Sequence, residues 1–130
     1  MADMENRMTK IMAGLTEQFL SGVPAVINVL NAALSQLESD EGGKEEQTQL
    51  FRQGHDLKGM GGSFGYPIMG TIGGEICRLA HEDIELSSLN LPLLRIHIDL
   101  LNYVLANRIK DESDPKAAPI IAAMSGAKPK

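Results

Sequence analysis

The stretch "GHDLKGMGGSFGYP", residues 54–67, combines helical spacing with residues that resist a helix. Leu50, Gly54, Leu57, Gly61 and Phe64 follow one another at intervals of 4, 3, 4 and 3. That spacing predicts one face of an α-helix turned toward a core. Gly59, Gly61 and Gly62 work against it, each costing about 1 kcal/mol relative to alanine inside a helix. His55 lies two positions from Leu57, and two residues turn a helix by about 200°. The imidazole is therefore expected to point away from the core, into water.

On that outer face the neighbours of His55 at i+3, i+4 and i+7 are Lys58, Gly59 and Gly62. Two of the three carry no side chain, so the helix surface beside the ring is bare, with one cation at its edge. Such a surface lets another protein bring a reactive group up to a ring nitrogen. A nitrogen lone pair is a nucleophile, and a lysine supplies a mobile point charge for an anion placed there. Acceptance of a phosphoryl group is the chemistry this points to. His55 is the candidate acceptor, Lys58 the electrostatic partner of the phosphate, and Gly59 and Gly62 the docking clearance. The blander reading has an ordinary surface histidine and lysine, and glycines that serve close helix packing.

The elements around this helix are helical too. Met4, Met8, Ile11, Met12, Leu15 and Phe19 form a stripe, expected to be flexible core filling on a first helix. Ser21-Gly22-Val23-Pro24 is expected to interrupt it, with a second helix starting near Pro24. The third helix is expected from about Lys44 to Phe64, and a fourth after the turn Gly65-Tyr66-Pro67. A fifth, roughly Pro92 to Lys110, is introduced by Asn90 and carries the apolar residues Leu93, Ile96, Leu100, Leu101, Val104 and Leu105. No alternating strand pattern occurs. The fold class expected is all-α: an antiparallel four-helix bundle with an additional N-terminal helix over residues 1–112. Residues 113–130, with three helix breakers, are expected to be a disordered tail.

At this point the chain resembles a known family. "HDLKGMGGSFG" is similar to the signature of histidine-containing phosphotransfer (HPt) domains, with His55 on the phosphoacceptor position. Leu57, Lys58, Gly59, Gly62, Phe64 and Gly65 also match, as does Phe51, and the likeness covers about residues 8–110. Met60 departs from the pattern, where serine or alanine is more usual, and bears on partner choice. The resemblance implies a relay of a two-component system. His55 would take a phosphoryl group from a receiver-domain aspartate and pass it to another receiver. The partners implied are receiver domains of response regulators or of hybrid histidine kinases. The implied magnesium sits on the receiver, so no cofactor is expected on this chain. No nucleotide-binding loop is present, so a phosphoryl carrier without ATP-dependent kinase activity of its own is expected. The alternative is a non-catalytic helical adaptor that docks receivers or other proteins without phosphotransfer. Binding that persists in the absence of transfer would mark it.

Composition narrows the rest. The net charge of −5 and the lack of a Lys/Arg cluster argue against nucleic acid. No uninterrupted apolar run approaches the roughly 18 residues of a membrane span, so no membrane partner is expected. The single cysteine, Cys77, cannot form an internal disulfide and fits a cytoplasmic protein. Cys77 and His81 at i, i+4 are two potential ligands, but zinc needs three or four, so no metal site is expected. A bundle of this size can stand alone, and a monomer is the expectation.

Overall fold

The computed structural model of the protein describes residues 2–127. Five α-helices are present among the described residues: α1 Ala2–Glu38, α2 Lys44–Ser63, α3 Pro67–Leu79, α4 Leu91–Asn107 and α5 Ala118–Ala127. Two short 3-10 turns, Leu86–Ser88 and Pro115–Ala117, precede α4 and α5. There is no strand among the described residues. Helices α1 to α4 close a ring, α1 on α2, α2 on α3, α3 on α4 and α4 on α1, with α2 and α3 in the most extensive contact. The core inside the ring is aliphatic: Leu30, Leu34, Leu50, Leu57, Met69, Ile72, Ile76, Leu94, Ile98 and Leu101 are fully buried. The all-α bundle expected from the spacing is the observed architecture.

Three details differ from expectation. First, the break at Ser21–Pro24 does not occur. Helix α1 runs through Pro24 for 37 residues. A proline inside a helix removes one N–H donor and costs about 3 kcal/mol. Here Leu20, Val23, Ile27 and Leu30 bury on both sides of Pro24 against the same bundle, and packing outweighs the local penalty. Second, the N-terminal stripe does not fill a core. Met4, Met8, Ile11, Met12 and Leu15 are all exposed. Third, residues 115–127 of the expected disordered tail are ordered. Ala117, Ile120 and Met124 are buried, and the Tyr103 hydroxyl donates to the Lys116 carbonyl at 3.0 Å. Residues 128–130 of that expectation lie outside the described residues. Replacing the fully buried Ile120 by alanine should destabilise the domain by roughly 3 kcal/mol, measurable by urea denaturation; a shift under 1 kcal/mol would show that α5 is only loosely attached.

The length of α1 bears on the membrane question as well. The helix contains an 18-residue window of mean hydropathy 1.3, enough by length and composition to cross a bilayer, and 39% of that window is buried. The same helix supplies Leu30, Leu34 and Leu37 to the bundle core, which accounts for its apolar character.

Chain ends and turns are secured locally. The Asn90 side chain accepts from the Leu93 N–H at 3.1 Å and caps α4. Gly65, at φ +88°, makes the left-handed turn between α2 and α3 that a side chain would strain. Arg95 ties α4 to α1 through Glu38 at 2.6 Å and Asn31 at 2.6 Å. Helix α4 turns one of its apolar faces to the core. Leu94, His97 and Ile98 are buried while Ile96 is exposed, because the helix is apolar over more than one face and its periodicity does not single out the core side.

Candidate functional site

The glycines of α2 divide into two sets. Gly54 and Gly61 face α3. A Cβ on Gly54 would lie 2.7 Å from both the Cys77 nitrogen and the Gly73 carbonyl oxygen. One on Gly61 would run into the Gly70 nitrogen and lie 2.8 Å from its Cα. Gly73 answers from α3: its Cβ would meet that of Leu57 at 2.6 Å. The two backbones therefore touch where side chains normally keep helix axes 8–10 Å apart. Gly59 and Gly62 belong to the other set. Nothing lies within 4 Å of a Cβ built on either. The structure thus sets Gly59 and Gly62 on open surface and gives the close packing to Gly54, Gly61, Gly70 and Gly73.

His55 stands on that open side of α2, its side chain 68% exposed. Its Nδ1 lies 3.9 Å from the Asp56 carboxylate, which leaves Nε2 on the opposite edge of the ring. Phe51, one turn earlier, stacks loosely on the imidazole, with centroids 6.2 Å apart and planes at 26°. The same Phe51 ring receives His81 edge-on at 5.5 Å and 86°. His81 is held there by its loop. Buried Gln47 donates from Nε2 to the carbonyls of His81 and Ile84, at 2.9 and 2.8 Å. Two imidazoles thus flank one phenyl ring. The sequence reading noted His81 only for its spacing from Cys77, and missed its place beside Phe51. That contact depends on where the loop after α3 returns, which no local spacing encodes.

Lys58 leans the other way, toward α3. A Cβ on Gly74 would sit 3.4 to 3.9 Å from the methylenes of Lys58, so the stem lies along the bare face of that glycine. Its ammonium is felt by Cys77. Burial pushes the Cys77 thiol up, and Lys58 pulls it partly back down. Lys58, Thr71, Gly74, Arg78 and His81 line an open groove between α2 and α3. Arg78 is paired within α3 to Glu75 at 2.7 Å. Among the described residues no group of three or more His, Cys, Asp or Glu side chains is arranged to hold a metal ion.

On the far flank of α2, Met60 and Phe64 form one wall of an apolar groove of about 300 Å³, completed by Leu15, Phe19, Val23 and Val26 of α1. Phe19 stacks on Phe64 with centroids 5.4 Å apart, and Thr16 donates to the Phe64 carbonyl at 3.0 Å. His97, on α4, is 1% exposed. Its Nδ1 lies 2.8 Å from the Leu93 carbonyl one turn back and so must donate to it. That histidine belongs to the interior of the bundle.

An exposed imidazole on a glycine-bared helix, with a lysine one turn on and four helices behind it, has a counterpart among known families. The family model of the Hpt domain matches residues 14–107. No curated protein and no solved structure matches the chain. The matched span takes in α1 from Gly14 onward and all of α2, α3 and α4. The chain belongs to the Hpt domain family, and its role is related to phosphotransfer in two-component signalling.

Proposed function

We propose that this protein carries a phosphoryl group on His55 between receiver domains of a phosphorelay. The observation that supports this most is the exposure of His55 beside Gly59 and Gly62, where a partner's cleft meets no side chain. In the reaction, the Nε2 lone pair attacks the phosphorus of an aspartyl phosphate held by a receiver. A P–N bond forms while the acyl P–O bond breaks, and the aspartate leaves as carboxylate with the bonding electrons. The ring keeps its proton on Nδ1 throughout, and the positive charge that develops faces Asp56. Transfer onward reverses each step on a second receiver. The receiver brings the magnesium and the acidic pocket, and this chain brings the imidazole. Free Cys77 supports a cytoplasmic setting for the exchange.

The test is transfer itself. Incubation with a receiver domain labelled on its aspartyl phosphate should move label to this chain in an acid-labile, base-stable form. Binding of the receiver without any movement of label would overturn the carrier reading in favour of an adaptor.

Lys58 has a defined part in the proposal. Its stem rests on Gly74 and is free to swing one helical turn back to a phosphate on His55. Lys58→Ala should slow transfer by roughly tenfold, the equivalent of about 1.4 kcal/mol and typical of one charge-assisted hydrogen bond. Rapid-quench measurement against the labelled receiver checks this. An unchanged rate would remove Lys58 from the reaction.

A further inference from the structure

We propose that two copies of this chain pair through the N-terminal half of α1, in a short antiparallel coiled coil. From Ala2 to Gln18 every residue of the helix is exposed except half-buried Thr16. The part before Thr16, whose hydroxyl bonds the Phe64 carbonyl, projects for about 20 Å. A helix of that length with no partner is marginal in water, since most helix stability in proteins comes from packing an apolar face. The projection has such a face. Met4, Met8, Ile11, Met12 and Leu15 are 39–67% exposed, a contiguous apolar patch of the kind that marks an interaction site. All but Leu15 lie before the segment matched by the Hpt domain, so the face is an addition to the module that carries His55. The stripe expected to fill a core is exposed instead.

The occupant is a second copy because the face complements itself. Met4, Met8, Ile11 and Leu15 are spaced 4, 3 and 4, the alternation of a coiled-coil seam. Laid antiparallel, Met4 meets Leu15 of the second copy and Met8 meets its Ile11, so all four layers are apolar. On the flanks Glu5 falls beside Met12 and Arg7 beside Gly14. No like charges meet across the seam. Pairing removes on the order of 1,000 Å² from water, at the lower bound for a specific interface and in the range of weak, transient ones. A membrane surface fits less well. The charges of this segment, Asp3, Glu5, Arg7, Lys10 and Glu17, are of both signs, whereas a helix lying on a bilayer carries a Lys/Arg-rich polar face.

Bundle position selects the antiparallel sense. Leu15 and Phe19 continue the stripe into the groove walled by Val23, Met60 and Phe64, so the seam lies on the side of α1 that the bundle occupies from Thr16 onward. A parallel partner would bring its own bundle to the same place. An antiparallel partner ends near Leu15, with its first turn at the mouth of that groove.

Sedimentation velocity on the 130-residue chain tests this over about 5 to 500 µM. The wild-type chain should move from monomer to dimer, and Met8→Glu with Ile11→Glu should remain monomeric while accepting phosphate from a receiver as before. A wild-type chain that stays monomeric throughout, or a double variant that still dimerises, would overturn the proposal. Cross-linking gives a reading independent of that variant. On a Cys77→Ser background, an equimolar mixture of Met8→Cys and Ile11→Cys chains should oxidise mainly to the mixed 8-to-11 dimer. Predominant same-site dimers would overturn the antiparallel arrangement.

Discussion

Replacing His55 by glutamine abolishes phosphoryl acceptance while leaving the bundle and its receiver binding intact. Glutamine keeps a polar side chain of similar reach but offers an amide nitrogen, whose lone pair is delocalised into the carbonyl and does not attack phosphorus. The loss should be complete within detection, because the proposed reaction has one acceptor atom and no second route. The fold should not respond. His55 is 68% exposed and its ring contact is a loose one with Phe51, 6.2 Å between centroids. Surface substitutions of this kind stay within about 0.5 kcal/mol. Labelled transfer from a receiver, read alongside a thermal melt, separates the two effects. A His55→Gln chain that takes up acid-labile phosphate at the wild-type rate would show that the acceptor lies elsewhere, and His81, beside the same phenyl ring, would be the next residue to change.

Gly61→Ala should be among the most damaging single-methyl additions in the molecule. The new Cβ would collide with the Gly70 backbone, and backbone cannot step aside as a side-chain tip can. Helices α2 and α3 would have to separate along their length, opening the contacts of Leu57, Ile72 and Ile76 behind them. A cost of about 3 kcal/mol is expected, at the upper end for overpacking, lowering the melting temperature by roughly 10 °C. Gly62→Ala, one residue on, should do the opposite. Nothing lies within 4 Å of its Cβ, so the gain in helix propensity, about 0.5–1 kcal/mol, appears unopposed. Its penalty should fall on transfer, since the methyl stands on the face a receiver must approach. Melting curves for the pair should move in opposite directions. If both variants melt alike, the division of the glycines into packing and clearance is wrong.

Much of the site was legible in the one stretch from Gly54 to Pro67. His55 faces outward because it lies two positions from Leu57, and that is a property of helix geometry alone. The same count put Gly54 and Gly61 on the core side. It did not say why they are glycines, because the reason is the backbone of Gly70 and Gly73 on another helix. The proline at position 24 misled for a related reason. Local chemistry sets the penalty for proline in a helix, but the burial of Leu20 and Ile27 on one bundle outweighs it, and burial is non-local. The tail was misread in the same way: Ile120 and Met124 show no helical stripe long enough to notice, yet they find a buried place beside the bundle.

By itself the sequence determined the all-helical class, the outward side of α2, and the placing of Lys58, Gly59 and Gly62 on the same helix as an exposed imidazole, since each follows from intervals along a single chain. Only the tertiary structure decided that α1 is one unbroken helix, that its first half stands clear of the bundle with its apolar face uncovered, and which glycines carry helix contact rather than open surface. Those outcomes depend on what lies across a gap in space. Residues far apart in the chain fill or fail to fill that gap, and spacing within one helix holds no record of them.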